Sequence, residues 1–146
     1  MNIKIRRAKK TEYPLIAEIY SKEFSKKPYK EPWTKALAIK KLKLLSKYCE
    51  IYSIFFDKNL VGFSAVNTTK FFPGKTVEGE EFAIDSKYQG KGIGKYCLKW
   101  AEKEFTKRGY ENFIFISIKS SPAYKIYKKL GYKEDKWDAL FLKELK

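Results

Sequence analysis

The sequence changes from a strand pattern to a helix pattern within the stretch EFAIDSKYQGKGIG at residues 81–94. Residues 76–84 have the character of a β-strand, and residues from 93 to about 108 place apolar side chains at helical spacing. Glycines at 90, 92 and 94 would let backbone N–H groups approach a ligand, and a helix N-terminus favours negative charge. Because Lys91 and Lys95 add positive charge, the stretch predicts a pyrophosphate-binding loop. A glycine-rich turn without a ligand is the alternative.

Outward from this junction, strand and helix patterns follow one another without a linker, repeat or low-complexity segment. The predicted order is β-α-α-β-β-β-α-β-α-β-β, a mixed α/β domain with a mixed sheet. The predicted strands are residues 3–7, 51–56, 60–68, 76–84, 113–118, 132–136 and 137–145. Four helices lie between them, the last beginning at Ser121-Pro122. A length of 146 residues is typical of one domain, so we expect a single domain over residues 1–146.

The composition indicates a folded protein outside the membrane. Hydrophobic residues make up 44% of the chain and aromatic residues 17%, whereas disordered chains are poor in both. No apolar run approaches the ~20 residues that a spanning helix needs. The first seven residues lack the apolar region of a secretory signal. We therefore expect a cytoplasmic protein without a membrane partner.

The formal net charge of +15 indicates attraction to polyanions. However, the only arginines are Arg6, Arg7 and Arg108, and the lysines are spread along the whole chain. Specific recognition of bases favours arginine, so we expect no specific nucleic-acid partner. A non-enzymatic basic module that binds nucleic acid or another polyanion remains the alternative function.

The absence of histidine limits the available chemistry. Cys49 and Cys97 alone cannot complete a four-ligand zinc site, so we expect no metal. Neither thiol has a histidine to activate it, and a cytosolic disulfide is not expected. The glycine spacing matches neither the Rossmann pattern of NAD-binding proteins nor the Walker pattern of ATP-binding proteins.

Two motifs resemble those of one enzyme superfamily. Residues 81–94 closely resemble the acetyl-CoA signature of the GCN5-related N-acetyltransferases (GNAT), a strand followed by Q/R-x-x-G-x-G/A and a helix. Residues 123–132, AYKIYKKLGY, match the family's A-x-x-x-Y-x-x-x-G-F/Y motif at the family's separation. The element order also agrees along nearly the whole chain. Residues 28–34, PYKEPWT, are similar to a loop of members that resemble aminoglycoside 6'-acetyltransferases.

The resemblance implies acetyl-CoA (coenzyme A) as the cofactor. The residues implied to wrap its pyrophosphate with backbone N–H groups, with Lys95 nearby, are Gln89, Gly90, Lys91, Gly92, Ile93 and Gly94. The backbone of Phe82, Ala83 and Ile84 is implied to pair with the pantetheine arm. Further implied cofactor contacts are Tyr124 and Ser120, which stands where the family often has asparagine.

Acid–base chemistry must come from a carboxylate, a tyrosine or a water held by either, because the chain has no histidine. Residues 76–86 contain no lysine or arginine but carry the acids Glu78, Glu80, Glu81 and Asp85. Such a stretch would attract a cationic amine; a solvated strand face paired with lysines is the alternative. Strict alternation places Glu78 and Glu80 on one face with Phe82 and Ile84, and Glu81 with Ala83 on the other. A β-bulge would shift this parity.

The resemblance also implies individual roles at the reacting centre. By its offset in the motif, Glu78 is implied as the base, with Glu80 as the second candidate. Glu81 matches a common acidic residue and is expected to contact the acceptor. Tyr127 is implied to protonate the departing thiolate, with core packing of its ring as the alternative. Tyr29, Glu31 and Trp33 could line the acceptor pocket or form a packed aromatic loop.

The expected function is therefore acetyl-CoA-dependent transfer of an acetyl group to a primary amine, by direct attack in a ternary complex. The expected acceptor is a small aminoglycoside- or polyamine-like amine, and a peptide remains open. A family member that binds CoA as a regulator and has lost catalysis is a further alternative. Dimers are common in the family, so the resemblance leaves a homodimer open.

Overall fold

The computed structural model describes residues 2–146, and the chain divides into two compact units. The first unit extends to Ile116, and the second is Ser117–Lys146. The strands of the first unit are β1 (Ile3–Arg7), β2 (Glu50–Phe56), β3 (Asn59–Asn67), β4 (Thr76–Ile84) and β5 (Asn112–Phe115). Its helices are α1 (Tyr13–Phe24), α2 (Lys35–Leu45) and α3 (Ile93–Lys107). The second unit contains α4 (Pro122–Lys129).

The five strands form one mixed sheet in the order β1-β2-β3-β4-β5. The first four strands are antiparallel neighbours, whereas β4 and β5 run parallel. The pairing of β4 with β5 covers only Thr76 to Gly79, while β3 pairs with β4 as far as Ile84. Within the described part of the first unit, β4 beyond Gly79 therefore pairs with β3 on one side and with no strand on the other, which leaves an open edge. The predicted mixed α/β fold class is confirmed.

Helices cover both faces of this sheet. Apolar side chains of α1 and α2, including Ile16 and Leu42, pack with Phe63 and Ala83 on one face. On the other face α3 buries Ile93 and Cys97 against β2–β4, and Phe105 further along the helix. This packing explains the apolar positions at helical spacing in all three helices. Among the helices of residues 2–146, none combines the length and the apolar character needed to cross a membrane.

Local signals in the sequence explain several element boundaries. The Thr34 hydroxyl accepts a hydrogen bond from the Leu37 N–H and caps α2. Asp57 and Lys58 adopt φ values of 47° and 71°, which suit the two-residue turn between β2 and β3. In the second unit Ser121 caps α4, and Pro122 occupies its first turn.

The C-terminal strands are the part of the predicted order that the structure contradicts. Residues 132–146 form no strand, and β5 ends at Phe115 although the apolar pattern predicted a strand to residue 118. The side chains of this segment with the strongest strand character are exposed by 81–95%: Trp137, Leu140, Phe141, Leu142 and Leu145. An apolar pattern reports the capacity to form a strand, but a strand also needs a partner backbone, which these residues do not have in the structure.

Candidate active site

The glycine-rich segment connects the end of β4 to the start of α3. Gly90 and Gly92 have φ values of 79° and 82°, a left-handed conformation that glycine adopts most readily. A Cβ at Gly90 would meet nothing within 4 Å, so the conformation rather than crowding calls for glycine there. Beyond this segment α3 begins at Ile93 with no side-chain cap and no acid in its first turn. Its first N–H groups can therefore bind an anion, and the exposed Lys91 and Lys95 add positive charge.

Both the side chain and the backbone N–H of Gln89 donate hydrogen bonds to other residues of the protein. Its side-chain Nε2 donates to the Ile84 carbonyl at 2.7 Å, and its backbone N–H donates to the Ser86 carbonyl at 3.3 Å. Gln89 therefore fastens the loop to the end of β4. The N–H groups that remain for a ligand are those of the glycines and of the first turn of α3.

The open edge of β4 leads directly into this loop. Phe82 and Ile84 pack toward α3, and Ala83 packs toward α1, so their side chains fix the strand from both faces. A Cβ at Gly94 would lie 3.9 Å from the Phe82 ring, an ordinary contact. An extended ligand could lie along this edge as an added strand, in the manner of β-augmentation. The predicted cofactor residues of the first unit thus form one continuous segment.

A β-bulge in β4 changes the predicted distribution of the glutamates. Glu81 pairs with Ala65 and Gly79 with Val66, so Glu80 is the additional residue. Val77 therefore faces α3 together with Phe82 and Ile84, although its position differs from each of theirs by an odd number, which strict alternation would place on opposite faces. Strict alternation predicts that Glu78 and Glu80 share a face with Phe82 and that Glu81 lies on the opposite face. The bulge makes this prediction wrong. The charges of all three carboxylates help to raise the pKa of Tyr48 and of Cys49, which lie in the turn between α2 and β2.

Each of the three carboxylates has different partners. The Glu78 side chain is only 10% exposed and pairs with Lys70 Nζ at 2.7 Å. Glu80 accepts from Asn67 Nδ2 at 2.9 Å and from the Cys49 thiol at 3.3 Å. Burial raises the pKa of Glu81 to about 6, although a hydrogen bond from Tyr20 and the charge of Lys41 oppose the increase.

Four residues near these carboxylates were not predicted: Tyr20, Cys49, Asn67 and Lys70. The Tyr20 ring is buried in the core beneath α1, and its hydroxyl also reaches Glu81. Burial and the neighbouring Glu80 raise the pKa of the Cys49 thiol, which makes a thiolate nucleophile unfavourable there. No local sequence signal connects Asn67 or Lys70 with β4, since both contacts depend on the β3–β4 pairing.

The segment between α1 and α2 has the packing that the aromatic-loop alternative predicts, and its role toward an acceptor stays a prediction. Tyr29 and Trp33 form a packed aromatic loop: the Trp33 ring lies 4.6 Å from that of Tyr20, and the Tyr29 ring 4.9 Å from that of Phe24. Glu31 is exposed and accepts from Trp33 Nε1 at 3.0 Å. Its charge also contributes to the raised pKa of Glu81, which places the two acids in one neighbourhood.

The second unit carries the remaining predicted residues. Tyr127 lies on α4, half-buried, with its ring 6.2 Å from that of Tyr132. The Tyr124 hydroxyl donates to Glu134 at 3.1 Å. Ser120 is exposed, just before the helix. These contacts describe the second unit alone, and the roles implied for its residues stay predictions.

Comparison with solved structures supports the fold. A possible acetyltransferase from Clostridium difficile 630 superposes with a TM-score of 0.81 at 16% identity, covering 100% of both chains. A ribosomal-protein-alanine N-acetyltransferase from Brucella melitensis biovar Abortus 2308 gives a TM-score of 0.77 at 14% identity, covering 99% of this chain and 100% of that one. An aminoglycoside acetyltransferase from an uncultured soil metagenomic sample gives 0.69 at 19% identity, covering 99% and 97%.

Comparison with sequences identifies the family. No curated protein matched the chain in a direct sequence search. The model of the acetyltransferase (GNAT) family matches residues 13–132, which include the open edge of β4, the glycine-rich segment and α4. Since this match covers most of the chain, the protein belongs to the GNAT acetyltransferase family.

Proposed function

We propose that this protein is an acetyl-CoA-dependent N-acetyltransferase that acts on a primary amine. The observation that carries the proposal is the open edge of β4, which continues into a glycine segment and the uncapped start of α3. Acetyl-CoA would supply the acetyl group as a thioester with a thiolate as leaving group. The N–H groups of Gly90, Gly92 and the first turn of α3 would hold its pyrophosphate. The backbone edge at Phe82 to Ile84 would hold its pantetheine arm.

The carboxylates of β4 provide for the acceptor. An amine arrives as an ammonium ion and must lose a proton before it can attack. With a pKa of about 6, Glu81 is ionised at neutral pH yet basic enough to take that proton. Glu78 is paired with Lys70, and Glu80 accepts hydrogen bonds from Asn67 and Cys49, so both carboxylates already have partners within the protein. The contacts therefore favour Glu81 as the base over Glu78 and Glu80, the residues that the resemblance implies.

Tyr127 remains the proposed proton donor for the thiolate. Its support is the family motif at residues 123–132 and its position on α4. Replacing it in Tyr127→Phe should lower kcat more than it weakens CoA binding. Equal kcat in the variant and the wild type would remove Tyr127 from the mechanism.

The acceptor class is proposed from charge. Glu31 and the three glutamates of β4 favour a small amine with several positive charges, such as an aminoglycoside or a polyamine, over a neutral amine. Structures with this fold include both an aminoglycoside acetyltransferase and a ribosomal-protein-alanine N-acetyltransferase, so the fold alone leaves a peptide amine open.

Acceptor-dependent release of free thiol from acetyl-CoA tests the proposed reaction. The panel should contain aminoglycosides, polyamines, amino acids and short peptides. A blank without acceptor is needed because Cys49 and Cys97 are both free thiols. Thiol release with the polycationic amines would support the proposal. CoA binding without turnover of any acceptor would favour a regulatory member of the family.

A matched pair of glycine variants tests the cofactor site. Gly90 and Gly109 have φ values of 79° and 93°, and a Cβ at either would meet nothing within 4 Å. Gly90→Ala and Gly109→Ala therefore carry similar backbone strain, but only Gly90 lies in the proposed site. Calorimetry should show CoA affinity about fivefold to thirtyfold lower in Gly90→Ala, as expected from about 1–2 kcal/mol of strain in the binding conformation. Equal affinity in both variants would reject the site, and salt-sensitive binding of any polyanion to both would favour the basic module.

A further inference from the structure

The last turn of α1 holds the loop that connects β4 to α3. The Glu23 carboxylate accepts a hydrogen bond from the Ser86 backbone N–H at 3.1 Å through Oε2. Its other oxygen lies 3.4 Å from Gln89 Nε2, which also donates to the Ile84 carbonyl. The Glu23 side chain is only 10% exposed. One buried carboxylate therefore contacts both sides of the short turn Ser86–Tyr88.

One lysine on each side of Glu23 in the sequence, Lys22 and Lys26, also connects the end of α1 to this loop. Lys22 Nζ pairs with Asp85 Oδ1 at 2.6 Å, and Lys26 Nζ donates to the Ser86 hydroxyl at 2.8 Å. Lys22 and Lys26 also lie 3.8 Å and 3.4 Å from Glu23 Oε2. Because two positive charges accompany Glu23 and Asp85, the carboxylates add little net repulsion toward an anion at the loop. The remaining effect of Glu23 is to position backbone.

A loop that binds an anion through N–H groups needs such support. Its two glycines in the left-handed region have wide conformational freedom, and ordering them on binding would cost affinity. Contacts that order the loop beforehand remove part of that cost. The direct contacts of Glu23 end at Gln89, immediately before Gly90.

We propose that Glu23 is a positioning residue for the cofactor, which holds the loop at residues 85–92 in its binding shape through Ser86 and Gln89. The inference rests on the proposed function, since it assigns Glu23 to the same CoA site. It makes α1, which precedes the aromatic loop with Tyr29 and Trp33, a support of the cofactor site as well.

The test uses Glu23→Ala and Glu23→Gln with Glu12→Gln as the matched control. Glu12 is similarly buried, 14% exposed, and likewise accepts from a backbone N–H and from basic and polar side chains. Its partners are Arg6, Lys9 and Ser53, none of which belongs to the loop. Two quantities are measured: hydrogen exchange of the amides at residues 85–92 without cofactor, and the Kd for CoA by calorimetry.

Glu23→Ala should speed exchange of the loop amides and raise the Kd for CoA about tenfold, as expected for losing a hydrogen bond to a charged acceptor. Glu23→Gln should have a smaller effect, because its amide oxygen can still accept from Ser86. Glu12→Gln should lower stability without changing either quantity. Unchanged loop exchange in Glu23→Ala, or an equal rise of Kd in Glu12→Gln, would overturn the inference. If the wild-type protein does not bind CoA, the proposed function fails, and the exchange rates alone decide whether Glu23 orders the loop.

Discussion

At the scale of single residues, Glu81 connects stability with the proposed chemistry. Burial raises its pKa to about 6, and protonation below that value leaves no carboxylate to accept a proton from the amine. The kcat/KM for the acceptor should therefore fall as the pH drops through 6. Glu81→Gln should abolish this step in the pH profile and lower the plateau by roughly 10²–10⁴-fold, the usual contribution of a general base. A step at pH 6 that persists in the variant would assign it to another group.

The same residue should make the fold less stable at neutral pH. Its pKa in the folded chain lies above the unfolded value of 4.5, so the folded state binds the proton more tightly. The free energy of unfolding should fall as the pH rises through 4.5 to 6, by roughly 2 kcal/mol from this group. Glu81→Gln should remove this pH-dependent loss of stability. Urea unfolding should therefore show that the variant is more stable than the wild type at pH 7 but not at pH 4. Greater stability at both pH values would point to a packing effect instead.

Residue identity alone predicted part of this site. The acidic stretch and the glycines stand out in a basic chain, and the structure places both on β4 and the loop that follows it. What differs among Glu78, Glu80 and Glu81 is their partners, and these come from other elements: Lys70, Asn67 and Tyr20. Contacts of this kind depend on strand pairing and helix packing, which a local pattern does not contain.

At the scale of elements, Gly62 on β3 has less room for a side chain than Gly79, the other glycine of the sheet. A Cβ there would lie 2.6 Å from the Ala83 carbonyl oxygen and 2.6 Å from Ile84 Cδ1. The carbonyl is backbone and cannot rotate away, so Gly62→Ala should push the end of β4 outward. We expect a loss of about 1–3 kcal/mol in urea unfolding, together with weaker CoA binding.

Gly79→Ala is the matched control for that substitution. A Cβ at Gly79 would lie 3.2 Å and 3.3 Å from two ring atoms of Phe113, which can move by a few tenths of an ångström. Its stability loss should be smaller, below about 1 kcal/mol. An equal loss in both variants would mean that the β3–β4 backbone adjusts as easily as the Phe113 ring.

Elements with strong local signals were predicted well. The strand at Thr76–Ile84 has the predicted bounds, because the polar residues 85–89 and then the glycine-rich segment follow its apolar end. The position of the bulge at Glu80 arises from the register with Ala65 and Val66, which the sequence of β4 alone does not contain. For residues 132–146 the apolar pattern predicts strands, but these residues form none in the structure because they have no strand to pair with.

At the scale of the whole molecule, charge is unevenly distributed. Lysine and arginine total 32 and aspartate and glutamate 17, yet residues 76–86 hold four acids and no base. The net positive field attracts an anionic cofactor from a distance and repels a cationic acceptor. The carboxylates of β4 act on the acceptor only at short range. The two substrates should therefore respond differently to salt.

Ionic strength provides the test of this arrangement. The Debye length is about 8 Å at 0.15 M and about 3 Å at 1 M, so added salt first removes the long-range attraction for the cofactor. The kcat/KM for acetyl-CoA should fall steadily as salt rises, while the kcat/KM for a polycationic acceptor should fall less, since screening also removes its long-range repulsion. Steady-state kinetics in a series of potassium chloride concentrations, with a neutral osmolyte as control, measures both. If the two constants decline in parallel, the acids of β4 do not recruit the acceptor. A charge-reducing variant of Glu78, Glu80 and Glu81 that leaves the acceptor's salt dependence unchanged would lead to the same conclusion.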